Sequence, residues 1–539
     1  MIPDSDAGLA TDPSSRAPSH QSRLNRSVLL CLGAILVLGV AIRFFNLGRR
    51  SLWLDEIISS HATHIDSFPA LIAWVKADVD QAPAFATVTW LLRGLGDGEV
   101  AMRLPSAVAG VLTIFAVFLL TKRLFDSRTA LIAALVTTIL PFMVWYSQEA
   151  RSYALLMLAT TLQMLFVYRA RRQGRLVDWA GFTVFTIFSV YSHYLALAST
   201  AAAYTYLLIG VVSDAMNSKA VAPQAARAAA SVAVVTLAYL PWVHALSAFL
   251  RSSNHGLARY AGPHAWTLMQ LLSLLDGLSY AGLMLAALVA GLFAAAFRAI
   301  RRRDEGALLL LIWLGLPIVA LTAKLQGAVL NLDPRYLGIV APAMAIVTAV
   351  GVNDSALWLA ARLASITSRR PGSMGAAVAI SLAFLLVVQT IPALATSISR
   401  PKDDYRGMAA YVSATTPSVG TVLALGQYAP FVVIGLDHYF GETGSPVVVV
   451  DGSSLDAKMV KSIQTSSGQV WGALFQPSPG EDQTALVNHL AVDQRFTHLL
   501  LVSPSSSLSP LQQARLLLSW DLRYAPHLQS ALDAVAGAT

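Results

Sequence analysis

The chain has 539 residues, 55% of them hydrophobic and 13% charged, with a mean hydropathy of +0.59. Soluble domains carry roughly 25% charged residues, so the composition excludes a water-soluble enzyme, and the apolar share excludes a disordered chain. The net charge of +8 rests on 31 Arg and 7 Lys against 30 acids, an excess that in a membrane chain is first a matter of orientation.

Residues 1–26 are polar, carry Arg16, Arg23 and Arg26, and read as a disordered cytosolic tail. The apolar run 27–46 exceeds the roughly 7–15-residue core of a signal peptide and reads as a retained first span. A bilayer core takes about 20 apolar residues per helix. Further runs lie near 102–121, 129–146, 152–169, 178–193, 195–212, 228–249, 279–298, 306–325, 336–360 and 375–396, which makes about eleven transmembrane helices. With the N-terminus inside, Arg16/Arg23/Arg26, Lys122/Arg123/Arg128, Arg169/Arg171/Arg172/Arg175, Lys219/Arg227, Arg298/Arg301/Arg302/Arg303 and Arg362/Arg369/Arg370 are cytosolic. These six groups obey the positive-inside rule, account for the basic excess without a nucleic-acid partner, and put the C-terminus outside. Cys31, the single cysteine, lies in the first apolar run and excludes an intramolecular disulfide or thiolate metal cluster.

The first extracytoplasmic loop, 47–101, holds amphipathic stretches at 68–75 and 84–95 with Trp74, Phe85 and Trp90, which read as helices lying in the membrane interface. Residues 27–399 form the transmembrane domain. In 400–539 charged residues return. Strands are expected at 421–425, 446–450, 470–474 and 498–502, with helices at 404–412, 455–463, 482–490 and 510–520. That alternation predicts a C-terminal extracytoplasmic α/β domain with a mostly parallel sheet, expected to be soluble on its own. No glycine-rich phosphate loop follows its first strand, so no nucleotide site is expected there.

Chemistry-bearing residues gather at the outer ends of the spans. Asp55 and Glu56, beside Trp53 where the first span ends, suit a general base or a divalent metal at the water boundary; they also read as a plain solvated acidic pair. Glu149 and Arg151, in Trp145-Tyr-Ser-Gln-Glu-Ala-Arg-Ser-Tyr153, are too costly to leave in lipid. They line a cavity or form a polar turn. His193, in Tyr191-Ser-His-Tyr194, reads as a site residue or as a hydrogen-bonded interface histidine. Arg103 begins the second span, and Arg335 with Tyr336 begins the tenth. Arg103, Arg151 and Arg335 break the positive-inside trend. Guanidinium binds phosphate bidentately, so three outer arginines point to a phosphate-linked substrate, where snorkelling anchors account comfortably for one.

The segments SLWLDE, RLPSAVAGVLT, WYSQEARSYAL, PRYL and DDYRGMAAYV, in this order across about residues 40–412, resemble the bacterial branch of GT-C membrane glycosyltransferases, similar to protein O-mannosyltransferases and the lipid A aminoarabinose transferase. The resemblance implies a polyprenyl-phosphate-linked sugar donor, a site facing away from the cytosol in the bacterial inner membrane, and inverting single displacement. Asp55 becomes the catalytic base and Glu56 its neighbour. Arg103, Glu149, Arg151, His193, Arg335 and Tyr336 become the residues for donor phosphate and sugar. The acceptor is a cell-envelope glycan, lipid or protein. No cofactor is required beyond a possible divalent metal, with Asp55, Asp80 and Glu149 as candidate ligands. Where many relatives carry His-Pro-Pro or Lys-Pro-Pro, this chain has Asp80-Gln-Ala-Pro83. The competing reading is a transporter, flippase or assembly protein for lipid-linked glycans. A transporter places ionisable groups near the bilayer midplane, whereas here the polar clusters sit at one face.

Overall fold

A computed structural model describes residues 26–77, 82–251, 275–277, 279–324, 334–367, 371–399, 405–415, 420–425, 429–443, 448–451, 469–475 and 498–502. The expected N-terminal tail up to residue 25, Asp80 and the helices expected at 455–463, 482–490 and 510–520 lie outside the described residues, while Arg26 opens the first helix.

Helix α1 (Arg26–Phe44) leads into a loop built from α2 (Leu54–Ser60), α3 (Phe68–Ala77) and α4 (Pro83–Leu91). Then come α5 (Glu99–Leu124), α6 (Ser127–Ile139), α7 (Pro141–Ser147), α8 (Tyr153–Gln173), α9 (Leu176–Ser192), α10 (Ala196–Met216), α11 (Ala222–Tyr239) and α12 (Val243–Arg251). The bundle closes with α13 (Gly282–Arg301), α14 (Glu305–Lys324), α15 (Ala341–Thr367) and α16 (Pro371–Ser399). Every expected apolar run carries helix. Among the described residues eight helices are long and apolar enough to cross a membrane, nine when α6 and α7 count as one bent span, while α9 and the apolar part of α14 are shorter. The chain is a multi-pass membrane protein.

Inside the bundle, many buried polar groups find partners nearby, as a low-dielectric surround favours. The buried hydroxyls of Thr113, Thr121, Thr160 and Thr348 each donate to the carbonyl four residues back. Gln163 on α8 donates to Thr186 on α9 and Thr200 on α10, joining three helices. Charged groups pair across helices: Arg169–Asp178, Arg171–Asp214 and Arg298–Asp354 meet at 2.7–2.8 Å.

The run expected as one span at 129–146 is broken. Pro141 opens α7 and biases Leu140 away from helical geometry, and the two halves meet at 61°. The break strands carbonyls at the end of α6. Arg43 on α1, fully buried, donates to Thr137 O at 2.9 Å and Thr138 O at 3.3 Å. A Cβ at Gly110 would collide with Ser147 and Arg43, so glycine on α5 makes room for this guanidinium. In return, Gln148 Nε2 reaches the terminal carbonyls of Ile42, Arg43 and Phe45. The end of α1 and the broken span thus cap each other.

The loop helices expected at the membrane interface are packed into the protein. Phe85 is buried, and Trp90 Nε1 donates to Ile65 O at 2.8 Å. Beyond the bundle stand α17 (Tyr405–Thr415), α18 (Ala429–Thr443) and strands β1 (Gly420–Leu425), β2 (Val448–Asp451), β3 (Gln469–Phe475) and β4 (His498–Val502). The strands overlap the four expected ones and form a parallel sheet in the order β2-β1-β3-β4. Helix α18, unforeseen in the sequence, is the crossover between parallel neighbours β1 and β2. Tyr405, Met408, Leu436 and Phe440 from α17 and α18 share one apolar cluster with Leu52, Phe85 and Met102. The C-terminal helices are therefore packed onto the first loop rather than standing apart from the membrane part.

Candidate active site

Adjacent residues of a helix point about 100° apart, so Asp55 and Glu56 on α2 cannot share a face. Glu56 is fully buried. Arg103 Nε donates to its Oε1 at 2.8 Å and Arg103 Nη2 to its Oε2 at 2.7 Å, a bidentate charge-assisted pair. The N–H of Ala150 adds 2.7 Å to Oε1 and that of Trp53 3.3 Å to Oε2. Arg103 directs its other N–H groups to the carbonyls of Leu47, Arg50 and Ser51 at 2.8–2.9 Å. All five guanidinium N–H groups have protein acceptors, and none is left for a phosphate. This pair ties the first loop to α5 and to the turn between α7 and α8.

Asp55 stands apart from that pair, with 24% of its side chain exposed. Its Oδ2 lies 3.7 Å from Arg151 Nη2 and 3.7 Å from Arg335 Nη1. These are ion pairs longer than hydrogen bonds. Among the described residues nothing donates to Oδ1. Arg151 also approaches the Asp55 carbonyl at 3.5 Å, and its own carbonyl accepts from Ser106 Oγ at 3.1 Å. Arg335 comes from the 3-10 turn Pro334–Ile339, its guanidinium 5.0 Å from the ring centre of Tyr336. Three residues distant in sequence thus meet at one end of the bundle.

His193 directly follows α9. Its Nδ1 accepts the Leu195 N–H at 3.1 Å, which puts the proton of the neutral imidazole on Nε2. With Ser59, Phe85, Arg151 and Ser152 it lines a cavity of about 20 Å³ next to α2. A file of rings runs on from here. Tyr336 lies 6.0 Å from His193, His193 5.8 Å from Tyr153, Tyr153 4.9 Å from Tyr146, and Tyr146 4.8 Å from Phe142. Tyr146 and Phe142 then line a groove of about 580 Å³ between α7, α16 and residues 276–284, walled also by Trp145, Gln389 and Pro334. That volume suits an organic ligand, and Pro334 adjoins the arginine that meets Asp55.

Glu149 is buried, near enough to Arg50 and Arg151 for its charge to act on both. Sequence reasoning passed over Arg50, whose Nη2 donates to Gln148 Oε1 at 3.0 Å and whose guanidinium lies 4.8 Å from the Trp145 ring centre. The signal was present: Trp145 and Gln148 belong to a cluster already singled out. Among the described residues no three His, Cys, Asp or Glu side chains converge as metal ligands. Glu56 is occupied by Arg103, and Asp80 lies outside the described residues.

A family model described as dolichyl-phosphate-mannose-protein mannosyltransferase matches residues 80–242, the stretch holding Arg103, Glu149, Arg151 and His193. Comparison with curated proteins finds no match. Among solved structures, the archaeal oligosaccharyltransferase AglB from Archaeoglobus fulgidus, in complex with an inhibitory peptide and a dolichol-phosphate, aligns with a TM-score of 0.53 at 15% identity. The alignment covers 76% of this chain but 64% of that one, less than two thirds of its length. ArnT from Cupriavidus metallidurans in the apo state aligns with a TM-score of 0.50 at 16% identity, over 82% of this chain and 95% of its own. The chain has the GT-C fold, the architecture of membrane glycosyltransferases, and is similar to the protein mannosyltransferases and to ArnT.

Proposed function

We propose that the chain transfers a sugar from a polyprenyl-phosphate donor to a hydroxyl of an extracytoplasmic acceptor, with Asp55 as general base and inversion at the anomeric carbon. Asp55, with its Oδ1 open and its Oδ2 flanked by Arg151 and Arg335, carries this reading. The carboxylate takes the acceptor hydroxyl proton as the acceptor oxygen bonds to the anomeric carbon. The bond from that carbon to the phosphate oxygen breaks, and its electron pair leaves with the polyprenyl phosphate. Preorganised cations at the leaving group are the largest electrostatic aid available to such a step. In-line displacement sets base and leaving group on opposite faces of the sugar, so donor phosphate draws both arginines off Asp55. Their 3.7 Å separations make that exchange inexpensive.

The groove beside Tyr146 and Trp145 takes the first part of the prenyl chain, and the aromatic file leads from it to Tyr336, against which Arg335 lies. Support also comes from the dolichol-phosphate held by the archaeal structure of the same fold. Eleven spans, the N-terminus in the cytosol, the sheet region outside and the bacterial inner membrane complete the reading. The test is purified protein incubated with a panel of polyprenyl-phosphate sugars and an acceptor extract, measuring released polyprenyl phosphate. Release with at least one donor is expected. A folded preparation that binds such donors and releases nothing from any of them would remove the enzymatic reading.

A further inference from the structure

The loop between α1 and α2 is irregular, and its backbone groups need partners from elsewhere. Five consecutive carbonyls, those of residues 47 to 51, are held by two arginines. Arg103 takes Leu47, Arg50 and Ser51 from the membrane side. Arg406 on α17 takes the remaining two: its Nη2 donates to Arg49 O at 2.6 Å and its Nη1 approaches Gly48 O at 3.4 Å. The backbone N–H of Arg406 also donates to Ser51 Oγ at 3.3 Å. The next group along, the buried N–H of Leu52, donates to the hydroxyl of Tyr439 on α18 at 2.7 Å. The Tyr439 hydroxyl in turn donates to Glu99 Oε1 at 3.1 Å, and Arg406 Nη1 donates to the same oxygen at 2.8 Å. Glu99 opens α5, the helix that supplies Arg103. The loop is gripped from both sides, and Asp55 follows Leu52 by three residues.

We infer that Arg406 and Tyr439 are positioning residues for the reaction, and that the C-terminal region completes the active site by fixing the loop that carries Asp55. The inference rests on the reading of Asp55 as the base. A tether that merely fastened the C-terminal region would bond anywhere on the membrane part. These side chains bond to the backbone of the one loop that sets the base, at groups no other described residue holds. Loss of the grip lets the loop shift, and a misplacement near 1 Å at a reacting group costs on the order of a hundred-fold in rate.

Tyr439→Phe keeps the ring in its apolar cluster and removes the hydroxyl alone. Arg406→Ala is the second variant, because a side chain 42% exposed can be cut back with the fold kept. Both are measured beside Asp55→Asn for kcat and KM with a lipid donor, with a melting curve on each preparation. We expect kcat to fall about ten- to hundred-fold in each, with the donor KM within about two-fold of the parent value because the phosphate arginines are untouched. Arg406→Lys should recover only part of the loss, since one ammonium cannot serve two carbonyls and Glu99 together. Parental kcat in both Tyr439→Phe and Arg406→Ala, with Asp55→Asn inactive, overturns this inference and leaves the proposed function standing. Full activity in Asp55→Asn overturns the function, and this inference with it.

Discussion

Asp55 and Glu56 are neighbours with identical charge, and the structure gives them opposite signatures on substitution. Asp55→Asn removes charge and basicity from a side chain that accepts no hydrogen bond among the described residues and makes two ion pairs at 3.7 Å. Such partly exposed pairs contribute about 0–1 kcal/mol each, so the melting temperature should barely move. Loss of a general base costs about 10²–10⁴-fold in rate, so transfer should be nearly abolished while donor binding persists. Glu56→Gln acts on a fully buried carboxylate with four donors, two of them from Arg103. The amide cannot neutralise Arg103, and one of its two ends presents N–H groups where an acceptor is required. Breaking a buried pair from one side costs about 3–5 kcal/mol, read as a lower melting temperature and less folded protein, with turnover per folded molecule reduced only as far as the loop shifts. The assay is sugar transfer from a lipid donor, normalised to the folded fraction by size-exclusion in detergent, with a thermal melt on the same sample. Full transfer by Asp55→Asn, or an undiminished melting temperature in Glu56→Gln, would refute this division of roles.

Arg335→Ala should weaken donor binding roughly ten- to hundred-fold, the range for a lost charge-assisted hydrogen bond of about 1.5–3 kcal/mol, and Arg335→Lys should fall between because it keeps charge without the fork; parental binding in both would make Arg335 an anchor only. A reporter active only outside the cytosol, fused after Thr539, should be active, and activity from one fused after Arg26 instead would invert the topology. Residues 400–539 expressed alone should associate or aggregate, against the expectation from composition, because the faces carrying Tyr405, Met408, Leu436 and Phe440 are buried on the first loop. Each such side chain is worth about 1.5–3 kcal/mol of burial; a monodisperse, folded fragment in sedimentation and circular dichroism would contradict that.

The apolar helices were legible because a bilayer of fixed thickness imposes a run length that no other environment demands, although among the described residues eight or nine, not eleven, are long enough to cross. The convergence of Asp55, Arg151 and Arg335 was half legible: charges at the outer helix ends stood out, but composition cannot tell which of them face a cleft. Arg103 shows why. Its partner Glu56 is 47 positions away, and a pattern that marks an outer arginine is the same whether its acceptor is a phosphate or a buried carboxylate. The broken span was read as continuous although Leu140–Pro141 carried the signal, because hydropathy is indifferent to a bend. Helix α18 was missed since Ala429–Thr443 is rich in valine and aromatic residues, a short apolar run that periodicity leaves ambiguous between helix and strand. On α17 the apolar positions 405, 408 and 412 have the same spacing whichever surface covers them, so the sequence does not show that they pack on the first loop.

Arg43 also dictates an order of assembly. When α1 enters the bilayer, the carbonyls of Thr137 and Thr138 lie 94 and 95 positions further along a chain still being made. A guanidinium without its acceptors reaches for the headgroups, so α1 first sits at a depth that keeps Arg43 wet. The acceptors that bury Arg43 beside Gly110 arrive only with α6 and α7, so the expected final seating of α1 follows their insertion. On this account the loop that carries Asp55 reaches its final place well after its own synthesis. Nascent chains arrested before residue 127 should expose an Arg49→Cys thiol to a membrane-impermeant reagent more than chains extending past residue 150. Equal labelling at both lengths would mean that α1 reaches its depth unaided.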